Sequence, residues 1–81
     1  MSTLADKVST VSFREGQIVV RMESGAETRF PVAANPRLAN GTEAQLNHVE
    51  ISPFGIHWPD LDEDLSLRGI FAGDHGQHQN R

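Results

Sequence analysis

The chain contains no cysteine. That absence removes a disulfide framework, a thiolate metal centre and a thiol nucleophile together, so packing alone has to hold the fold. Bases are scarce too: seven Lys and Arg, scattered along the chain, form no clustered positive surface of the kind that phosphate-backbone binding needs, which speaks against direct nucleic-acid binding. No apolar run approaches the roughly 20 residues needed to cross a bilayer. The start, Met1-Ser2-Thr3-Leu4-Ala5-Asp6-Lys7, lacks a basic segment followed by an apolar core. The expected compartment is therefore the cytoplasm, with no membrane partner. The glycines are dispersed singly through turns, so there is no Gly-rich phosphate loop.

What remains is an ordinary globular composition, 37% hydrophobic and 22% charged. A chain of 81 residues makes one small domain. A domain of that size buries only about 60% of its unfolded surface, so its core is thin and self-association is an expectation. Acids outnumber bases 11 to 7, a net charge of −4, and Asp60, Asp62, Glu63 and Asp64 alone carry four negative charges. The charge imbalance is thus local, confined to one loop or face beside the only Trp, Trp58.

Val8, Val11 and Phe13 among Ser and Thr suit a half-buried strand, Arg14-Glu15-Gly16 turns the chain, and Gln17–Met22 reads as a second strand. After Ser24-Gly25, the segment from Glu27 to Val32 alternates with Thr28, Phe30 and Val32 on one face. Pro31 lacks an amide donor and makes this third strand an edge, or ends it there. The predicted start is an antiparallel three-stranded meander.

Pro36 suits the first position of a short helical turn that Asn40-Gly41 ends. Thr42-Glu43-Ala44-Gln45 has capping-box spacing and predicts a helix over Glu43–Asn47. His48–Ser52 and Ile56–Trp58 read as a second hairpin about Pro53-Phe54-Gly55, closed by Pro59. Beyond the acids, Ser66 is one candidate N-cap for a short C-terminal helix from Leu67 to Ala72 that Gly73 stops, and Asp60 is the other, three residues before Glu63. The expected fold is α+β, a single domain over 1–73 with a flexible polar tail over 74–81.

From Pro36 to Gly73 the chain resembles the prokaryotic family called domain of unknown function 2442. The likeness rests on Pro36-Arg37-Leu38, on Thr42 with Gln45 and Asn47, and above all on Gly55-Ile56-His57-Trp58-Pro59 running into Leu61-Asp62-Glu63-Asp64-Leu65-Ser66. The family pattern usually carries an aromatic where this chain has Asn35. The resemblance implies a small α+β domain, fused in some relatives to a helix-turn-helix and in others encoded beside a small toxin-like protein. It implies no activity, and it favours a regulatory or antitoxin-like interaction module by analogy.

The acids invite a calcium reading, since Asp60, Asp62 and Asp64 occupy positions 1, 3 and 5 of an EF-hand loop. The loop fails at position 6, where Leu65 replaces the required Gly, and at position 12, where Phe71 replaces the bidentate Glu. A divalent-metal-dependent hydrolase on the three Asp residues with His57 as acid or base remains the enzymatic alternative. His57 is otherwise a strand residue facing away from the core or bonded to an acid. Ser66 serves as a cap and no motif sets it beside His57. His75 and His78, three apart in the tail, have no scaffold to make a metal site.

Trp58 is either a core lid with its indole N–H paired or an interface anchor. Arg37 can pair with the acids and join the two halves of the motif, or leave them open to a basic partner. The leading expectation is a non-enzymatic interaction module without cofactor or metal. In it, Trp58, Asp60, Asp62, Glu63, Asp64, Arg37 and His57 meet a small cationic or toxin-like protein. A purely structural homo-oligomer is the third alternative.

Overall fold

A computed structural model describes residues 7–73. The expected flexible tail, with His75 and His78, lies outside the described residues. The expected meander is present as β1 (Val8–Arg14), β2 (Gln17–Met22) and β3 (Glu27–Pro31), in the order β1-β2-β3. Arg14 pairs with Gln17, so Glu15 and Gly16 alone make the first turn, and both have positive φ, 52° and 81°. That is the backbone a two-residue hairpin requires to follow the right-handed twist of its strands, and Gly16 meets it without strain. The pairing slips between Val8 and Thr10, a bulge near the start of β1.

Register then decides which side chains are buried. Val11 lies opposite Val20, and Phe13 and Phe30 both lie opposite Ile18, which puts these residues on one face. The other face carries the charged row Arg21, Glu27 and Arg29, where Glu27 bonds both guanidinium groups. β3 is an edge and ends at Pro31, as its missing donor dictates. The outer edge of β1 is covered in part by a side chain: Phe13 N donates to Asn47 Oδ1 at 3.0 Å, and Asn47 Nδ2 donates to Glu43 O at 3.0 Å.

After a 3₁₀ turn at Val32–Ala34 come α1 (Pro36–Ala39) and α2 (Glu43–Asn47). The capping box is complete: Gln45 N donates to Thr42 Oγ1 at 3.2 Å and Thr42 N donates to Gln45 Oε1 at 3.0 Å.

The second hairpin is also present, but it belongs to a second three-stranded sheet. β4 (Glu50–Ile51) pairs with β5 (Gly55–Trp58), and β5 pairs on its other side with β6 (Glu63–Ser66). The sequence reading put the acids on one loop or face and made Ser66 a helix cap without a strand here, and the structure makes Glu63–Ser66 a strand. Asp and Glu are weak strand formers, yet tertiary context prevails: Leu65 is buried opposite Ile56, and Glu63, opposite Trp58, has a buried polar partner. Of the two candidate N-caps Ser66 is the one used, its Oγ accepting from Gly69 N at 2.9 Å at the start of α3 (Leu67–Phe71).

One cluster forms the core. It joins Ile18, Val20, Met22 and Phe30 of the first sheet to Ile56, Trp58 and Leu65 of the second, and takes one residue from each helix, Leu38, Leu46 and Ile70. Gly55 lets β5 and β6 approach, since a Cβ there would lie 2.5 Å from Leu65 O, a backbone atom. Gly55→Ala is expected to lower stability by about 1–3 kcal/mol through that overlap, read as a shift in urea midpoint.

Hydrogen bonds from Arg29 first and Arg21 second hold the Glu27 carboxylate below its ordinary pKa. A depressed folded-state pKa adds stability that is present above the unfolded pKa and lost as pH falls through the folded one. The group is exposed, so the effect is small. Melting curves across the acid range should show Glu27→Gln below the parent at neutral pH, with the two converging on acidification.

Candidate functional site

The acidic stretch is built by β5, a four-residue turn at Pro59–Asp62, and β6. The turn is closed by Leu61 N donating to Trp58 O at 3.1 Å, and Asp62 takes a left-handed φ of 54° that Asp tolerates better than most residues. Each of the four acids has a partner within the domain. Asp60 Oδ2 lies 2.8 Å from His48 Nδ1, and Asp64 Oδ1 lies 2.8 Å from His57 Nδ1. Arg37 Nη1 donates to Asp62 O at 3.0 Å and to Oδ2 at 3.4 Å, so the link between the two motif halves exists but runs through one nitrogen and is not a bidentate fork.

Glu63 has the most confined of these contacts. Asn35, fully buried, donates from Nδ2 to Glu63 Oε2 at 2.7 Å, while its Oδ1 accepts from Arg37 N at 2.9 Å and Leu38 N at 3.1 Å. One side chain thus caps α1 and ties it to β6. Asn35 was missing from the sequence-derived set, although Asn directly before a Pro at the first helical position is an N-cap signal.

Trp58 takes the packing role. Its ring is fully buried and its Nε1 donates to Leu46 O at 3.1 Å, fixing α2 to the second sheet, so it offers no surface to a partner. The seven expected site residues therefore separate. Arg37, Asp62 and Glu63 brace the fold around Asn35, Asp60 pairs with His48, Trp58 lies inside, and only His57 and Asp64 share an outward face. Among the described residues no three His, Asp or Glu side chains converge as metal ligands.

That outward face belongs to the second sheet. Register sets Glu50, His57 and Asp64 in one row across β4, β5 and β6, opposite in facing to Ile56, Trp58 and Leu65. The row borders a groove of about 510 Å³ whose lining also includes Ile51, Phe54 and Gly55. Ile51 and Phe54 are 44% and 81% exposed. The sequence signal for this site was an aromatic in a Ser-Pro-Phe-Gly turn, where small polar residues are the rule.

Comparison with known proteins follows the fold. The family model described as "Protein of unknown function (DUF2442)" matches residues 8–76. A crystal structure of a protein of unknown function from Rhodospirillum rubrum is 30% identical, with a TM-score of 0.78 over 93% of this chain and 95% of that one. A solution structure of an uncharacterized protein from Chromobacterium violaceum is 29% identical, with a TM-score of 0.76 over 89% of this chain and 70% of that one.

Asn35→Ala removes the cap and leaves a carboxylate without its buried partner, an expected loss of about 2–4 kcal/mol in denaturant unfolding. Asn35→Asp keeps the capping oxygen but sets a second carboxylate against Glu63. Its deficit at neutral pH should shrink as pH falls and one of the two acids is protonated.

Proposed function

The chain belongs to the DUF2442 family, which carries no activity with it, and from that footing we propose a non-enzymatic protein-interaction or regulatory module that works through the outer face of its second sheet. The observation that carries this reading is Phe54. Phe54 is 81% exposed on a backbone that is fixed in place: Ser52 Oγ accepts from Phe54 N at 3.2 Å and Gly55 N at 3.1 Å, Ser52 N donates to Gly55 O at 3.0 Å, and Leu67 N donates to Phe54 O at 2.9 Å. An aromatic fixed in this way loses little entropy on docking, which is how a few aromatic residues come to dominate interfaces. The groove that Phe54 borders, with Glu50, His57 and Asp64 along it, extends the contact area.

By analogy with relatives encoded beside a small toxin-like protein, the partner proposed is a protein of that kind and the role proposed is antitoxin-like. His57 and Asp64 stay in the proposed contact surface. Glu63 and Trp58 leave it, bonded to Asn35 and Leu46 on the inner side of the sheet, and Arg37 and Asp62 leave it because they pair with each other away from the groove. The hydrolase alternative draws no support from the geometry, because the acids are dispersed among separate partners and Ser66 and Ser52 are engaged in a cap and a turn.

Coexpression with the product of the neighbouring gene tests this. The two are expected to copurify, and Phe54→Ser is expected to abolish copurification while changing stability by less than about 0.5 kcal/mol, as befits an exposed position. Asp60→Asn in the acidic turn should leave copurification intact. Failure of the parent pair to copurify, or indifference to Phe54→Ser, overturns the reading.

A further inference from the structure

The edge of the second sheet specifies more about what it receives. Among the described residues β4 pairs on one side only, with β5. Ser52 N donates to Gly55 O, so hydrogen-bonded pairing falls at Ser52 with Gly55 and, two residues on, at Glu50 with His57. The residue between them, Ile51, therefore turns its backbone N–H and C=O away from β5, towards the open edge. An unpaired strand edge is a template for another extended chain.

Two further features fix the chemistry of that chain. On the outer face, the row Glu50, His57, Asp64 sets two carboxylates in the groove lining, and among the described residues no Lys or Arg lines it. On the opposite face of β4, Ile51 leaves a partly exposed aliphatic surface. A strand added beside β4 places alternate side chains on these two faces, with directly opposed Cβ atoms about 4.5–5.5 Å apart. Its residue opposite Glu50 meets carboxylates, and its residue opposite Ile51 meets apolar surface.

Resting on the interaction reading above, we infer that the partner segment is extended, carries Lys or Arg alternating with apolar residues, and adds a strand to the second sheet at β4. A second copy of this chain fits poorly, because copies paired edge to edge at β4 bring their own Glu50 carboxylates near one another, and like charges across a ladder are destabilising.

The test titrates the isotope-labelled full chain, followed by amide NMR, with short synthetic peptides in which Lys or Arg alternates with Val or Leu, and with counterparts in which Glu replaces the bases. The basic peptides are expected to shift the amides of Glu50, Ile51, His57 and Asp64 and to slow hydrogen exchange at Ile51. Glu50→Gln and Asp64→Asn should each weaken binding roughly two- to fivefold, as for partly exposed ion pairs, and added salt should weaken it further. N-methylation of the peptide residue opposite Ile51 should abolish binding.

Equal binding by the acidic peptides, shifts centred on Asp60–Asp62, or a concentration-dependent Ile51 shift without peptide each overturns the inference. If Phe54→Ser abolishes copurification while no basic peptide moves the β4 amides, the surface stands and this chemistry falls. If the peptides bind at β4 while copurification ignores Phe54, the chemistry stands and the partner reading falls.

Discussion

A single buried amide joins the first short helix to the last strand. Asn35 uses both its oxygen and its nitrogen: the oxygen terminates α1, and the nitrogen holds a carboxylate on the inner side of β6. Neither half is stable by itself. A helix of four residues has no cooperative length of its own, and a carboxylate facing the core of a thin domain carries a desolvation cost that only a well-aligned donor offsets. Arg37, next along the chain, then reaches Asp62 just before Glu63, so two consecutive contacts set the course of the last turn. The indole bond to Leu46 does the same for α2. Short elements with little intrinsic stability are thereby made parts of one core.

The conspicuous motif is accordingly a description of a brace. Gly55 permits the approach of β6, Trp58 fills the centre, Asp62 takes the left-handed corner and Glu63 receives Asn35. Its charge density suggested a recognition surface, and the coordinates give every one of its acids a partner in the same chain. The exposed apolar surface lies one turn away, at Ile51 and Phe54, with Phe71 also 49% exposed at the end of α3.

What could be read from the residues alone follows from which signals are local. Alternation in Glu27–Pro31, the two-residue turn at Glu15-Gly16 and the Thr42–Gln45 box depend on neighbours within a few positions, and each element lies where those neighbours put it. The family resemblance and the α+β class follow from the same signals together. β6 was missed because two of its four residues, Glu63 and Asp64, are acids of poor strand propensity, and only the distant Asn35 and the register opposite Trp58 make Glu63 welcome there. Trp58 was set among the partner-binding residues with a core role as its other reading; it lies in the core, and its partner, a carbonyl on α2, is a tertiary fact with no trace in local pattern. The groove escaped notice for a related reason: an exposed ring is visible only once the turn that presents it is known.

The side-chain amide of Asn47, laid against Phe13 N on the rim of the first sheet, bears on how this protein behaves when crowded. With that rim obstructed, and the opposite one ending in Pro31 beside the charged Arg29, neither border of the first sheet offers a clean run of donors and acceptors. Growth from copy to copy into fibrils is thereby opposed on that side of the molecule.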